Sequence, residues 1–473
     1  MTTKAHQKSQ SANFIDEEKI NEILQNSKNA SIPEILSIIE KGRQAKGLTP
    51  YETAVLLHSA GEDVETALFR AAREVKEKIY GKRLVLFAPL YISNYCINNC
   101  IYCGYRRHNE IPRQKLTMDE IEQEVIALEA MGHKRIALEV GEDPRNCPLD
   151  YILEAMEKIY SVKESSGSIR RINVNIAATT VEDYRKLKKA GIGTYILFQE
   201  TYHRETYRRC HPAGPKKDYD WHATAMDRAM EAGIDDVGLG VLFGLYDYKF
   251  EVLGLLMHSL HLEERFGVGC HTISVPRMRP AEGVTIETFP HLVNDADFKR
   301  MVAIIRLAVP YTGMILSTRE PAGFRDEVIA VGISQISAGS CTGVGGYHID
   351  DSAPEKKPQG QFQVEDHRTT DEMLLSVCKS GYLPSFCTAC YRMGRTGDRF
   401  MALAKTGEIQ NICQPNAMLT FKEFLVDYAS PETRAMGEEV IKSHLKEIPK
   451  KKMREEVEKR LKKIEAGERD LYF

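Results

Sequence analysis

Eight short apolar, β-branched runs alternate with amphipathic helical stretches through the middle of this chain, and few architectures accept such a pattern. The runs are residues 84–92, 135–142, 171–177, 194–201, 236–244, 271–277, 314–319 and 332–340. Between the first two, Thr117 and Glu120 form a capping box; between the third and fourth, Thr180 opens a helix that Gly191 ends. Strand and helix alternating eight times predict an α/β fold, a parallel (β/α)8 TIM barrel whose right-handed crossovers keep the helices outside. Ahead of it, residues 1–83 read as a helical segment, with Asp16 as a cap and Thr49 with Glu52 as a second capping box. The barrel is assigned to 84–345 and a mainly helical extension to 346–473. Within that extension DSAPEKKPQGQFQ reads as a surface loop, and Glu439 to Asp470 reads as a solvated, charge-rich helix.

A formal charge of -3 gives no reason to expect nucleic acid or an anionic membrane as partner. No apolar signal core opens the chain and no run of about 18 apolar residues occurs, so the expected setting is cytoplasmic. Eleven cysteines are unlike a secreted disulfide framework because six of them fall into two short-spaced groups. Cys147, Cys210, Cys270, Cys341 and Cys378 lie outside both groups and read as small buried residues.

In a TIM barrel the chemistry sits at the C-terminal ends of the strands. Cys96, Cys100 and Cys103, spaced C-x3-C-x2-C, follow the first run. Three thiolates suit a 4Fe-4S cluster with one iron left open for another ligand; structural zinc is the competing reading. Gly141 and Glu142 end the second run, Glu200 the fourth, Arg319 the seventh and Ser340 the eighth. The second cysteine group, Cys387, Cys390 and Cys413, is spaced C-x2-C-x22-C and could hold zinc or a second iron-sulfur cluster. His271 opens the sixth run, where its imidazole could ligate iron; His258 and His261 read as structural. Gly238, Gly240 and Gly244 in GLGVLFG lack the lysine and helix start that a phosphate loop requires.

The first cysteine spacing resembles that of the radical S-adenosylmethionine (SAM) enzymes. That resemblance implies SAM chelating the open iron and a one-electron cleavage that yields a 5'-deoxyadenosyl radical. It further implies Tyr102 near the adenine, Gly141 and Glu142 (in EVGE, against the family's G-G-E) at the SAM ammonium, and Gly240 along the adenine. Glu200 would bind the ribose hydroxyls, unless it caps the next helix. The segments QETYHRETYRRCHPAGPKKDYDWH, HTISVPRMRPAEG and LSTRE resemble the tyrosine-lyase branch of these enzymes, and the added C-x2-C-x22-C resembles the FeFe-hydrogenase maturases of HydG type.

This second resemblance implies L-tyrosine cleavage to p-cresol and dehydroglycine. The glycine fragment would then become carbon monoxide and cyanide at an auxiliary cluster that carries an extra labile iron. An Fe(CO)2(CN) synthon for the hydrogenase H-cluster would be the product. An electron donor such as ferredoxin or flavodoxin and the other maturation proteins are the implied partners. A guanidinium is the suitable clamp for a substrate carboxylate, and Arg319 with Ser340 is the expected pair. An ion pair to Glu320 is the alternative for Arg319, and Arg277 and Arg279 are second candidates. The rival functions are a 2-iminoacetate synthase of thiazole biosynthesis (ThiH type) and a non-catalytic cluster scaffold.

Overall fold

The computed structural model describes residues 11–164, 167–349 and 358–473. Part of the polar stretch read as a surface loop lies outside them.

All eight runs form strands: β1 (Arg83–Ser93), β2 (Arg135–Val140), β3 (Arg171–Asn175), β4 (Tyr195–Ile196), β5 (Val237–Gly240), β6 (Thr272–Ser274), β7 (Gly313–Leu316) and β8 (Gln335–Ser337). Each pairs in parallel with the next, and β1 pairs with both β2 and β8, which closes the barrel. Alternation along β1 sorts its side chains. Leu84, Leu86, Ala88 and Leu90 are wholly buried against the outer helices, while Val85, Phe87, Pro89 and Tyr91 line the lumen. Each outward leucine contributes about 1.5–3 kcal/mol by leaving water.

A ninth strand, β9 (Leu383–Ser385), comes from the C-terminal extension and was not expected from the sequence. It pairs with Arg83–Val85, the stretch of β1 that precedes the β2 ladder starting at Ala88. The extension is thereby fixed beside the N-terminal face of the barrel. Among the described residues four helices precede β1, from Glu17–Asn26 to Glu62–Tyr80, with Asp16 and the Thr49–Glu52 box capping as the sequence implies. The last of them packs on the barrel helix Asp295–Ala308. Cys147, Cys210, Cys270 and Cys378 are buried as expected, but Cys341 is only half-buried. Among the described residues no helix is long and apolar enough to cross a membrane.

Candidate active site at the barrel mouth and a second cysteine pocket

A cavity of about 220 Å3 opens at the C-terminal ends of the strands, and Cys96, Cys100, Cys103, Tyr102, Gly141, Glu142, Glu200, Arg319 and Ser340 all line it. The cysteine loop is held by its own polar groups. Arg113 donates to the carbonyls of Asn94, Tyr105, Arg106 and Asn109, and Asn94 bonds Pro112 O and Gln114 N. The amide of Asn98 lies 3.8 Å from Cys96 Sγ and that of Gln361 3.7 Å from Cys103 Sγ. Amide donors aimed at thiolates are what a cluster site needs, since hydrogen bonds to sulfur tune the iron. Burial pushes all three thiols up, Cys103 to about 11, so metal binding must supply the drive to ionise them. Among the described residues no three His, Cys, Asp or Glu side chains converge on a point that would hold a single ion.

Gly141 is required by space: a Cβ there would meet Tyr95 O at 2.3 Å. Its neighbour Glu142 accepts from Asn98 Nδ2 at 2.6 Å. Glu200 stands at φ 69 and pairs with Lys216 at 2.7 Å. It does not cap the following helix, because His203 accepts from Thr206 N and takes that place. Tyr102 OH bonds His211 Nε2 at 2.8 Å. Gly240 does not line the cavity. A Cβ there would meet Phe198 at 2.4 Å, so this glycine makes room for a residue that does.

Arg319 and Ser340 lie three residues beyond the ends of β7 and β8 rather than at them. Arg319 packs its guanidinium 3.3 Å from the Phe362 ring centroid and makes no ion pair among the described residues. Ser340 Oγ is buried without a hydrogen-bond partner among the described residues. Glu320, the alternative partner for Arg319, is instead gripped by Arg277 (2.6 Å) and Arg279 (2.6 Å), and Arg277 also reaches Asp295 at 2.5 Å. Both second-candidate arginines are therefore committed to a buried ion pair and do not line the cavity.

Among the lining residues that sequence reasoning missed are Tyr91, Glu139, Lys216, Gln361 and Phe362. The last two correct the reading of residues 351–363 as surface, since Gln361 accepts from Tyr91 OH at 3.0 Å and both face the cavity. A charged residue inside an apolar strand run, Glu139, was the one legible signal.

The second group gathers at the opposite end of the barrel. Cys387, Cys390, Cys413 and His271 line one pocket of about 60 Å3 together with residues from the starts of the strands, Arg135 and Gln335 among them. Arg135 donates to Cys387 O at 2.7 Å, and Ala389 N lies 3.4 Å from Cys387 Sγ. A hydrogen bond from Cys390, with the guanidiniums of Arg83 and Arg395 nearby, holds Cys413 below the usual thiol range. His271 sits 3.4 Å from Asp236, and burial keeps it neutral, the form that ligates metal.

The sequence matches the Radical SAM superfamily over residues 90–256 and the Biotin and Thiamin Synthesis associated domain over 274–383. It is 31% identical to 2-iminoacetate synthase from Escherichia coli, over 76% of this chain and 93% of that protein. A crystal structure of HydG, a maturase of the FeFe-hydrogenase, aligns at TM-score 0.95 with 62% identity, covering 98% of this chain and all of the other. The HydG structure from Carboxydothermus hydrogenoformans aligns at TM-score 0.82 with 41% identity over 95% and 99%.

Proposed function

We propose, for a chain that belongs to the radical SAM superfamily and within it to the HydG family of FeFe-hydrogenase maturases, that the mouth cavity cleaves the Cα–Cβ bond of L-tyrosine. The products are p-cresol and dehydroglycine. The observation that carries this is one cavity containing three free thiols, an Arg319 guanidinium without an ion pair among the described residues, and the orphan Ser340 hydroxyl.

Cys96, Cys100 and Cys103 would hold the 4Fe-4S cluster, with Gly141, Glu142, Glu200 and Tyr102 around SAM. When bound, that pair supplies a carbon-centred radical able to take a hydrogen atom from the substrate. The chain's own residues do the rest. Arg319 receives the tyrosine carboxylate through two parallel charge-assisted hydrogen bonds, and Ser340 Oγ donates a third. The lumen wall keeps water away from the reacting nitrogen.

At the second pocket Cys387, Cys390 and Cys413 would hold an auxiliary iron-sulfur cluster, with His271 facing an additional labile iron. There dehydroglycine is converted to carbon monoxide and cyanide, and Fe(CO)2(CN) leaves as the product for H-cluster assembly. An external electron donor such as ferredoxin or flavodoxin, the other hydrogenase maturation proteins as recipients, and a cytoplasmic setting belong to the same proposal.

The test is an anaerobic assay with SAM, reductant and L-tyrosine. Cresol together with carbon monoxide and cyanide is expected, and absence of cresol sinks the proposal. The 31% identity to a 2-iminoacetate synthase favours one second reading, release of the fragment intact. Cresol without the two diatomics would select it.

A further inference from the structure

Radical removal of a hydrogen atom from the substrate nitrogen raises a proton problem. An amino acid at neutral pH carries an ammonium, and taking a hydrogen atom from it would leave an electron-poor, positively charged nitrogen radical. The nitrogen must first lose a proton and regain its lone pair. Something in the cavity has to accept that proton.

Among the described residues three acids line the cavity: Glu139, Glu142 and Glu200. Glu200 is neutralised by Lys216 at 2.7 Å, and Glu142 is tied to the cluster loop through Asn98 at 2.6 Å. Glu139 lies next to the C-terminal end of β2, opposite Tyr91 of β1 and Asn175 of β3. Its carboxyl is half-buried, with one side open to the cavity, and it makes no ion pair among the described residues. The groups facing it are the Asn175 amide, which donates to it, the Arg319 guanidinium, and the phenols of Tyr91 and Tyr105. Neither phenol can act as the base, because burial pushes both well above their usual range and their hydroxyls donate to Gln361 and to Thr342 O. His222, an imidazole on the cavity wall, has its Nε2 2.8 Å from Phe198 O.

The geometry points to Glu139 as the general base that takes the ammonium proton of L-tyrosine before the hydrogen atom is removed. This rests on the tyrosine-lyase function proposed above. A carboxylate held by Arg319 would leave the amino nitrogen two bonds away from its carboxyl carbon, within the cavity that Glu139 and Arg319 both line. The step is a proton transfer alone. An N–H bond breaks, an O–H bond forms on Glu139, both electrons stay on nitrogen, and no oxidant or reductant enters.

Burial raises Glu139 to about 8, with Arg319 and Asn175 opposing the rise. A base is most efficient when its pKa lies near the working pH and near that of the group it deprotonates, and this one does. In the free enzyme at pH 7 Glu139 holds its proton. Binding of zwitterionic tyrosine then leaves one proton shared between nitrogen and oxygen, and the other is released.

The experiment uses the enzyme with both cysteine groups loaded, SAM, and the variants Glu139→Gln and Glu139→Asp. With reductant omitted, so that no turnover occurs, calorimetry in two buffers of different ionisation enthalpy counts protons released on tyrosine binding at neutral pH. Release close to one per site in the wild type and close to none in Glu139→Gln is expected. With reductant present, cresol formation by Glu139→Gln should fall about 10²–10⁴-fold at neutral pH and climb about tenfold per pH unit, while the wild-type rate levels off above about pH 8. Glu139→Asp should regain proton release and the levelling profile. Equal proton release in wild type and Glu139→Gln overturns the inference. So does a Glu139→Gln rate within about twofold of wild type with the same profile, or an Asp variant indistinguishable from the Gln one. A wild type that forms no cresol overturns the tyrosine-lyase proposal as well; wild-type cresol beside an unaltered Glu139→Gln profile overturns the base alone.

Discussion

The two ends of this barrel carry cysteine sites of opposite construction. At the mouth, the thiols and the charged groups other than Glu139 come from loops that follow the strands, the ordinary address for chemistry in this fold. At the floor, the strands only begin, and a site exists because β9 pairs with Arg83–Val85 and brings Cys387 and Cys390 after it. The electrostatics differ as well. The mouth sets Glu139, Glu142 and Glu200 beside Lys216 and Arg319, and its thiols are all pushed up by burial. The floor is lined by Arg83, Arg135 and Arg395, and Cys413 is held down by Cys390 and two of those arginines. Every mouth thiol is thus shifted up, whereas at the floor one thiol of the three is shifted down.

Breaking the comparison at the mouth has the largest expected effect. Replacing Cys96, Cys100 and Cys103 together by alanine should abolish SAM cleavage, cresol, carbon monoxide and cyanide alike, because the floor acts on what the mouth releases. Persistence of the diatomics without cresol would show the ends to be independent. The converse variant, Cys387→Ala with Cys390→Ala, should lower carbon monoxide and cyanide by about 10²-fold or more while cresol stays within about tenfold of wild type. Equal loss of all three products would mean that the extension stabilises the barrel rather than serving as a second station. Iron and sulfide content measured on both variants separates loss of a cluster from loss of the fold.

How much of this was legible follows from what each residue does locally. The eight strands were readable because alternation and capping are properties of neighbouring residues, and Thr49–Glu52 and Thr117–Glu120 cap as written. The fourth run was expected to be eight residues long, yet its ladder covers only Tyr195–Ile196. Further along that run Glu200 takes a positive φ and keeps only an isolated parallel bridge to Val241, outside the regular ladder. β9 escaped notice because Leu-Pro-Ser is short and contains Pro384, and a proline argues against a strand. An edge position tolerates it, since no ladder donor is missed there. Glu139 was hidden inside a run read for its period rather than for its exception. Lys216 was hidden because two adjacent lysines read as solvated, and only folding sets one of them against Glu200.

The two arginine clusters near the mouth sharpen the comparison at a smaller scale. Arg319→Lys keeps the charge but loses the fork, so the KM for tyrosine should rise about tenfold, corresponding to about 1.4 kcal/mol, with melting temperature little changed. Arg277→Met should do the reverse. It strips the main partner from buried Glu320 and costs about 3 kcal/mol of stability while leaving Arg319 in place. Paired KM and thermal-melt measurements decide it. A KM effect for Arg277→Met larger than for Arg319→Lys would transfer the carboxylate clamp to the Arg277–Glu320 group.

The smallest effect is expected at Tyr102, whose ring lines the cavity beside two of the cluster cysteines. Its hydroxyl meets His211 Nε2 at 2.8 Å, and burial holds His211 well below its usual range, hence neutral. Burial also keeps Tyr102 a phenol rather than a phenolate. The bond is thus between two uncharged groups, worth about 1 kcal/mol, and the apolar face of the ring is untouched by its loss. Tyr102→Phe should therefore weaken SAM binding by no more than about fivefold, leave the iron content unchanged and shift no pH profile. A loss of SAM affinity a hundredfold or greater would mean that the hydroxyl itself, rather than the ring, meets the cofactor. The contact with His211 would then be a resting arrangement that SAM displaces.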